Sequence, residues 1–221
     1  MENFLERRQG VEDLLSCLLR EPFSETEAKV LLKFGIAKNI DNSKLEEFLS
    51  ALGETKQSIK KDQQFLYDND PSVTGVDQIA SFTSFFAVAA YRIAHIFPCE
   101  KIARQISEFA KSLTGVDIHP KAKIGVPFAV DHGVGTVIGE TAVIGDSSML
   151  YHGVTLGAKH LKEREQVGED RHPKLGNKVI VYSNTTILGN INVPDGLIIG
   201  ANKFIKSQQE IDELQSKFGS R

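Results

Sequence analysis

Residues 116–140 read VDIHPKAKIGVPFAVDHGVGTVIGE, and the pattern runs on through YHGVTLGAK at 151–159 and DRHPKLG at 170–176. Large aliphatics recur every six residues: Ile118 and Ile124, then Ile138, Ile144, Leu150 and Leu156. After an interruption they resume at Leu175, Val181, Ile187, Val193, Ile199 and Ile205. A period of six, with small residues and scattered glycines between the aliphatics, marks a parallel β-helix in which each hexad forms one flat face of a coil. Three hexads close one triangular turn, so the aliphatics are expected to stack into a single internal column. The fold class is α+β: an N-terminal helical domain, a hexapeptide-repeat solenoid and a short C-terminal helix.

Two irregularities interrupt the period. Val130 to Ile138 is a step of eight residues, which distorts one corner near Asp131-His132. The interval 157–174 breaks the repeat altogether and is rich in charge. Such insertions leave a coil as loops at its corners, and a long loop on a rigid scaffold is more often functional than idle. Beyond the repeats, Ile211, Leu214 and Phe218 keep helical spacing, which predicts an amphipathic helix capping the open end of the solenoid.

Upstream, residues 1–66 read as helical. The faces are Val11, Leu14, Leu15 and Leu18, then Val30, Leu31 and Phe34, then Leu45, Phe48, Leu49 and Leu52. SETE at 24–27 and NSKL at 42–45 supply capping residues. Residues 54–68 are charged with a sparse apolar face and are expected to lie exposed. DNDP at 68–71 is a turn signal, and one long helix is predicted over about 76–97, with another running to about Leu113. Thr114-Gly115 ends the helical pattern. The expected division is a helical domain at 1–114, a solenoid at 115–206 with its inserted loop at 157–174, and a capping helix at 207–221.

Composition narrows the function classes. A net charge of -3 with dispersed basic residues gives no reason to expect nucleic acid as partner. Only Cys17 and Cys99 occur, which suits a reducing cytoplasm and indicates neither a disulfide framework nor a cysteine zinc site. The N-terminus shows no secretory signal. Polar residues such as Arg92 and His95 interrupt the most apolar stretch, 79–97, so a buried helix is expected rather than a membrane span.

Among residues suited to chemistry, His132 stands at the distorted corner between Asp131 and Gly133, and an imidazole has the pKa suited to taking a proton near neutrality. A lone histidine at a solenoid corner would ordinarily just face solvent. Asp117, fifteen residues back and roughly one coil earlier, could hold one ring nitrogen protonated, although alone it would more often be a turn residue. Glu140 could approach the same site from the next face. Asp170-Arg171-His172-Pro173 closes the inserted loop; it is either a polar loop end or a planar fork for a carboxylate, with His172 beside it. Asp70 and Asp131 could meet an ammonium group, so together these residues would recognise a small amino acid zwitterion. A three-histidine zinc shell drawn from His119, His132, His152, His160 and His172 is a competing arrangement, and no metal is expected.

VDIHPKAKIG, VDHGVGTVIGETAVIGD, YHGVTLGAK, DRHPKLG and TTILGNINV, with DNDP and AYRIAHIF before them, resemble the serine O-acetyltransferases of the hexapeptide-repeat acyltransferase superfamily. The resemblance covers about residues 68–205 and implies a left-handed parallel β-helix. It also implies acetyl transfer from acetyl-CoA, as co-substrate, to the hydroxyl of L-serine, giving O-acetylserine for cysteine synthesis. His132 would be the general base, Asp117 its dyad partner and Glu140 a neighbour of the imidazole. Asp70, Asp131, Arg171 and His172 would bind the amino acid. Gly153, Gly157, Ala158 and Lys159, with Ala201 and Lys203, would line the CoA groove. In the family, sites lie between solenoids of a homotrimer, and helical domains can join two trimers.

The sequence departs from the family in three places. Its loop before DRHP is longer and more charged, and VYSN at 181–184 replaces a glycine–alanine stretch. The family's proline-rich segment and isoleucine-ended tail are missing, so docking of cysteine synthase is not expected. A related acyltransferase with another hydroxyl acceptor, such as homoserine or a sugar, and a non-catalytic trimeric scaffold are the alternatives.

Overall fold

The computed structural model describes residues 42–159 and 170–218, together with Gln9 and Asp13. The helix faces expected before residue 42 otherwise lie outside the described residues, as does the charged loop centre at 160–169. Helix α1, Asn42–Asn69, is followed by a 3-10 turn at Val76–Ser81, by α2 at Thr83–Ile96 and by α3 at Glu100–Thr114. The single helix expected over 76–97 is therefore two pieces. Extended backbone at Phe82 (φ -79°, ψ 126°) ends the first and starts the second. The segment 54–68 also departs from expectation. It continues α1, and Thr55, Ile59, Asp62 and Leu66 on one of its faces are buried.

Helix α3 ends in a left-handed glycine, Gly115 (φ 71°), and the solenoid begins two residues later. Its strands are β1 Asp117–Ile118, β2 Lys123–Ile124, β3 Phe128–Asp131, β4 Val137–Ile138, β5 Val143–Ile144, β6 Ser148–Tyr151 and β7 Thr155–Gly157. After the insertion come β8 Lys174–Leu175, β9 Ile180–Val181, β10 Thr186–Leu188, β11 Asn192–Val193, β12 Ile198–Ile199 and β13 Phe204–Ile205. All pairings are parallel and join strands three apart, giving one face of five strands (β1-β4-β7-β10-β13) and two of four. This is the left-handed hexapeptide-repeat β-helix.

The periodic aliphatics form three columns rather than one, a column per face, all pointing into the lumen. Ile118, Ile138, Leu156, Ile187 and Ile205 line the first face. Each is buried, as are Ile124, Ile144, Leu175 and Val193 on the second and Val130, Leu150, Val181 and Ile199 on the third. At about 25 cal/mol per Å² of apolar surface removed from water, these columns are the main source of the solenoid's stability.

A buried ion pair ties the helices to the first coil. Arg92 on α2 holds Asp62 on α1 at 2.9 Å and donates to the carbonyls of Ile124 and Gly125 at 2.6 Å each. Asp62 in turn accepts the Phe128 N–H at 2.8 Å. At the far end α4, Gln208–Phe218, buries Ile211 in the solenoid core. Glu210 caps its start, its carboxylate accepting the Ser207 N–H at 2.9 Å and the Ser207 hydroxyl at 2.8 Å. Among the described residues no helix is long and apolar enough to cross a membrane.

Candidate active site

The five-stranded face has two edges, and the candidate residues divide between them. At the edge entering β4, the chain leaves β3 at Asp131 and makes a one-residue turn around His132 (φ 59°), closed by the Gly133 N–H donating to the Asp131 carbonyl at 2.7 Å. A positive-φ turn of this kind is rare and strained. It leaves His132 exposed. Gly133 (φ 85°) must be glycine: a Cβ there would lie 2.8 Å from Val116 and 3.0 Å from Ser84.

The parallel register places Tyr151 beside Asp131, so His152 follows one coil above His132. The two imidazoles meet edge to face, centroids 5.7 Å apart at 71°. Tyr151 stacks on Tyr182 of the next coil at 4.9 Å. Burial, and then the negative field of Asp131, push the Tyr151 phenol up. Asp70, just past α1, accepts the Ser72 hydroxyl and N–H at 2.6 and 2.9 Å. Those bonds hold its carboxyl below the ordinary range, and the nearby His132 adds to the effect. Asp70, Asp131 and His132 therefore share this edge. Gly153 and the exposed Ala201 and Lys203 occupy the same corner on higher coils, Ala201 roughly 14 Å above His132 at the usual strand spacing.

Asp117 does not take the place expected of it. Its carboxylate is held by Lys111 of α3 at 2.5 Å, and among the described residues His132 makes no hydrogen bond to it. Lys111 is pushed up by that bond.

The opposite edge, after β4, carries the returning end of the inserted loop. The Thr141 hydroxyl accepts the N–H groups of Arg171 (3.0 Å) and His172 (3.2 Å) and lies 2.9 Å from His172 Nδ1. The Thr141 N–H donates to the same nitrogen at 3.2 Å. His172 is buried, its ring lying against Gly139 where any Cβ would collide with it. Burial first, and then the Arg171 charge, push its pKa down.

Glu140 is not beside His132 as expected, because its carboxylate binds the Arg171 guanidinium at 2.5 Å. Lys121 stands 3.8 Å from Glu140 and 3.0 Å from Glu100 at the start of α3. Behind this chain of charges a cavity of about 420 Å³ opens between α2, α3 and the first coils, lined among others by His95, Phe97, Arg104 and His119. Burial pushes His119 down as well. Gly157, Ala158 and Lys159 leave β7 at this same edge.

Five residues of strand and corner separate the two edges, roughly 16 Å. Within one chain His132 stands with the acids, and Arg171 and His172 stand apart from it. The histidines weighed as a zinc shell divide the same way, His160 lying outside the described residues. Among the described residues no group of three or more His, Cys, Asp or Glu could hold a metal. Thr141, Gly139 and the pairing of His152 with His132 were not read from sequence. Thr141 lies thirty residues from the groups it holds, and only the coil register reveals the contact.

No family model matches the chain. Curated relatives do. A serine acetyltransferase of Staphylococcus xylosus is 40% identical over 151 residues, covering 66% of this chain and 68% of that protein. A plasmid-borne serine acetyltransferase of Synechococcus elongatus is 38% identical over 168 residues, 72% of this chain. The chain spans about half (53%) of that relative's length. Among solved structures, Entamoeba histolytica serine acetyltransferase 1 in complex with L-cysteine superposes with a TM-score of 0.75 at 33% identity, over 89% of this chain and 82% of that one. Neisseria gonorrhoeae serine acetyltransferase gives 0.70 at 30%, over 90% and 74%. With this fold and these relatives, the chain belongs to the serine acetyltransferase family.

Proposed function

We propose that this protein transfers the acetyl group of acetyl-CoA to the hydroxyl of L-serine, at sites formed where the two edges of neighbouring copies meet in a homotrimer. The observation that carries the reading is the division of the five-stranded face. One edge holds an exposed imidazole beside two carboxylates; the other holds a guanidinium and a buried imidazole. Each edge is half of a site for an amino acid, and a threefold arrangement sets unlike edges side by side.

In the assembled site Asp70 and Asp131 take the ammonium of serine, while Arg171 and His172 take its carboxylate. His132 accepts the hydroxyl proton as the oxygen attacks the thioester carbonyl. The C–S bond then breaks, and the departing thiolate recovers that proton from His132. Asp117, on β1 opposite Val137, would support the imidazole once its carboxylate turns from Lys111. CoA runs along the wall formed by Gly153, Ala201 and Lys203 on one copy and Gly157, Ala158 and Lys159 on the next.

The experiment mixes purified protein with acetyl-CoA and L-serine and follows thiol release against a His132→Ala control. Serine-dependent release above that control supports the reading, and none overturns it. Homoserine in place of serine separates the related acyltransferase.

A further inference from the structure

We propose that Thr141 is the positioning residue of the acceptor-binding half, fixing Arg171 and His172 to the end of β4 and holding His172 as the Nε2–H tautomer, a hydrogen-bond donor and not a second base. This rests on the acetyl-transfer reading only for its kinetic consequence.

A hydroxyl has one proton to give and two lone pairs to receive with. Thr141 uses all three: it accepts from the Arg171 and His172 N–H groups at 3.0 and 3.2 Å and faces His172 Nδ1 at 2.9 Å. With both lone pairs taken, its own proton is directed at Nδ1. The Thr141 backbone N–H points at the same nitrogen from 3.2 Å, and a backbone amide can only donate. Two donors converge on Nδ1, so that nitrogen carries the lone pair and the ring proton sits on Nε2. Protonating the ring would place a third hydrogen between those donors. Burial of the ring against Gly139, where a Cβ would collide, also favours the uncharged form.

The consequence is a division of labour between the imidazoles. His172 and Arg171 both present donors, and a half-site of donors suits a carboxylate. His132, whose nitrogens make no hydrogen bond among the described residues, is left as the group that can take a proton. Glu140 fixes the guanidinium itself, while Thr141 fixes the backbone from which it projects.

Imidazole ¹⁵N spectra of the whole protein test the tautomer without any assay of activity. His172 Nδ1 is expected at the pyridine-type position and Nε2 at the pyrrole-type position; the reverse assignment overturns the proposal. Thr141→Val keeps the backbone N–H and the shape but leaves two N–H groups without their acceptor. It is expected to raise KM for L-serine about tenfold with KM for acetyl-CoA unchanged. Thr141→Ser, which restores the hydroxyl, stays within about threefold of the parent. A Thr141→Val protein with the parent's KM for serine refutes the positioning role. If that variant fails to fold, the spectra of the parent decide. If the parent releases no thiol with serine, the acetyl-transfer reading fails, and the spectra still judge Thr141.

Discussion

At the edge entering β4, His132 is presented by backbone: a left-handed turn, a glycine that admits no Cβ, and an imidazole one coil above at 5.7 Å. At the edge leaving β4, Arg171 and His172 are presented by a side chain, the single hydroxyl of Thr141, with Glu140 clamping the guanidinium. The first edge is exposed and strained, and the second is half-buried and braced by side-chain hydrogen bonds. The first therefore suits a group that must exchange a proton and move with the reacting atoms. The second suits groups that must hold an anion still. Loss of His132 at the first edge should appear in kcat, and damage at the second edge in KM.

The largest effect expected is at the first edge. His132→Ala removes the proton acceptor and should lower kcat ~10²–10⁴-fold while leaving KM for L-serine near its starting value. Steady-state kinetics check it, and a large rise in KM with kcat preserved would break the contrast. Next comes Arg171→Lys, which keeps the charge but loses the planar fork that Glu140 and a carboxylate share. KM for L-serine should rise about ten- to hundredfold with kcat much less changed. Gly139→Ala drives a methyl into the His172 ring, so it should destabilise the fold by about 1–3 kcal/mol, read by denaturant unfolding, and weaken serine binding with it.

The smallest effect is on stability against pH. Burial holds both His172 and His119 below the ordinary histidine value of 6.5. A histidine depressed in the folded state takes its proton first in the unfolded chain. Its contribution is therefore fully present above 6.5 and is lost as pH falls from there through the folded values. The melting temperature should drop as pH is lowered below 6.5, and His172→Gln should flatten that slope. A parent and variant with equal slopes would contradict the burial account.

The solenoid was legible because its cause is periodic. One aliphatic every six residues must face inward in every coil, and Ile138, Leu156 and Ile187 do so whatever the loops between them. The distorted corner at His132 was legible for the same reason, since eight residues replace six there. What the period does not carry is which side chains meet across a corner. Spacing set Asp117 under His132, but the end of α3 supplies Lys111, a competing cation that no solenoid pattern foretells. Glu140 likewise read as a neighbour of His132 because eight residues separate them, yet a whole strand lies between and its partner arrives from the inserted loop. The break of the expected 76–97 helix at Phe82 is set by tertiary packing, with Ile79 buried on one side and Ser84 on the other.

The claim that two half-sites separated in one chain become one site between copies is tested most directly by mixing subunits. His132→Ala and Arg171→Ala proteins, each nearly inactive alone when L-serine is held well below the raised KM of the Arg171→Ala protein, are co-expressed, purified together and assayed at that serine concentration. Random threefold assembly restores both intact halves at about a quarter of the sites, and serine-dependent thiol release should return in that proportion. Mixed protein no more active than its parents would show that each chain works, or fails, alone.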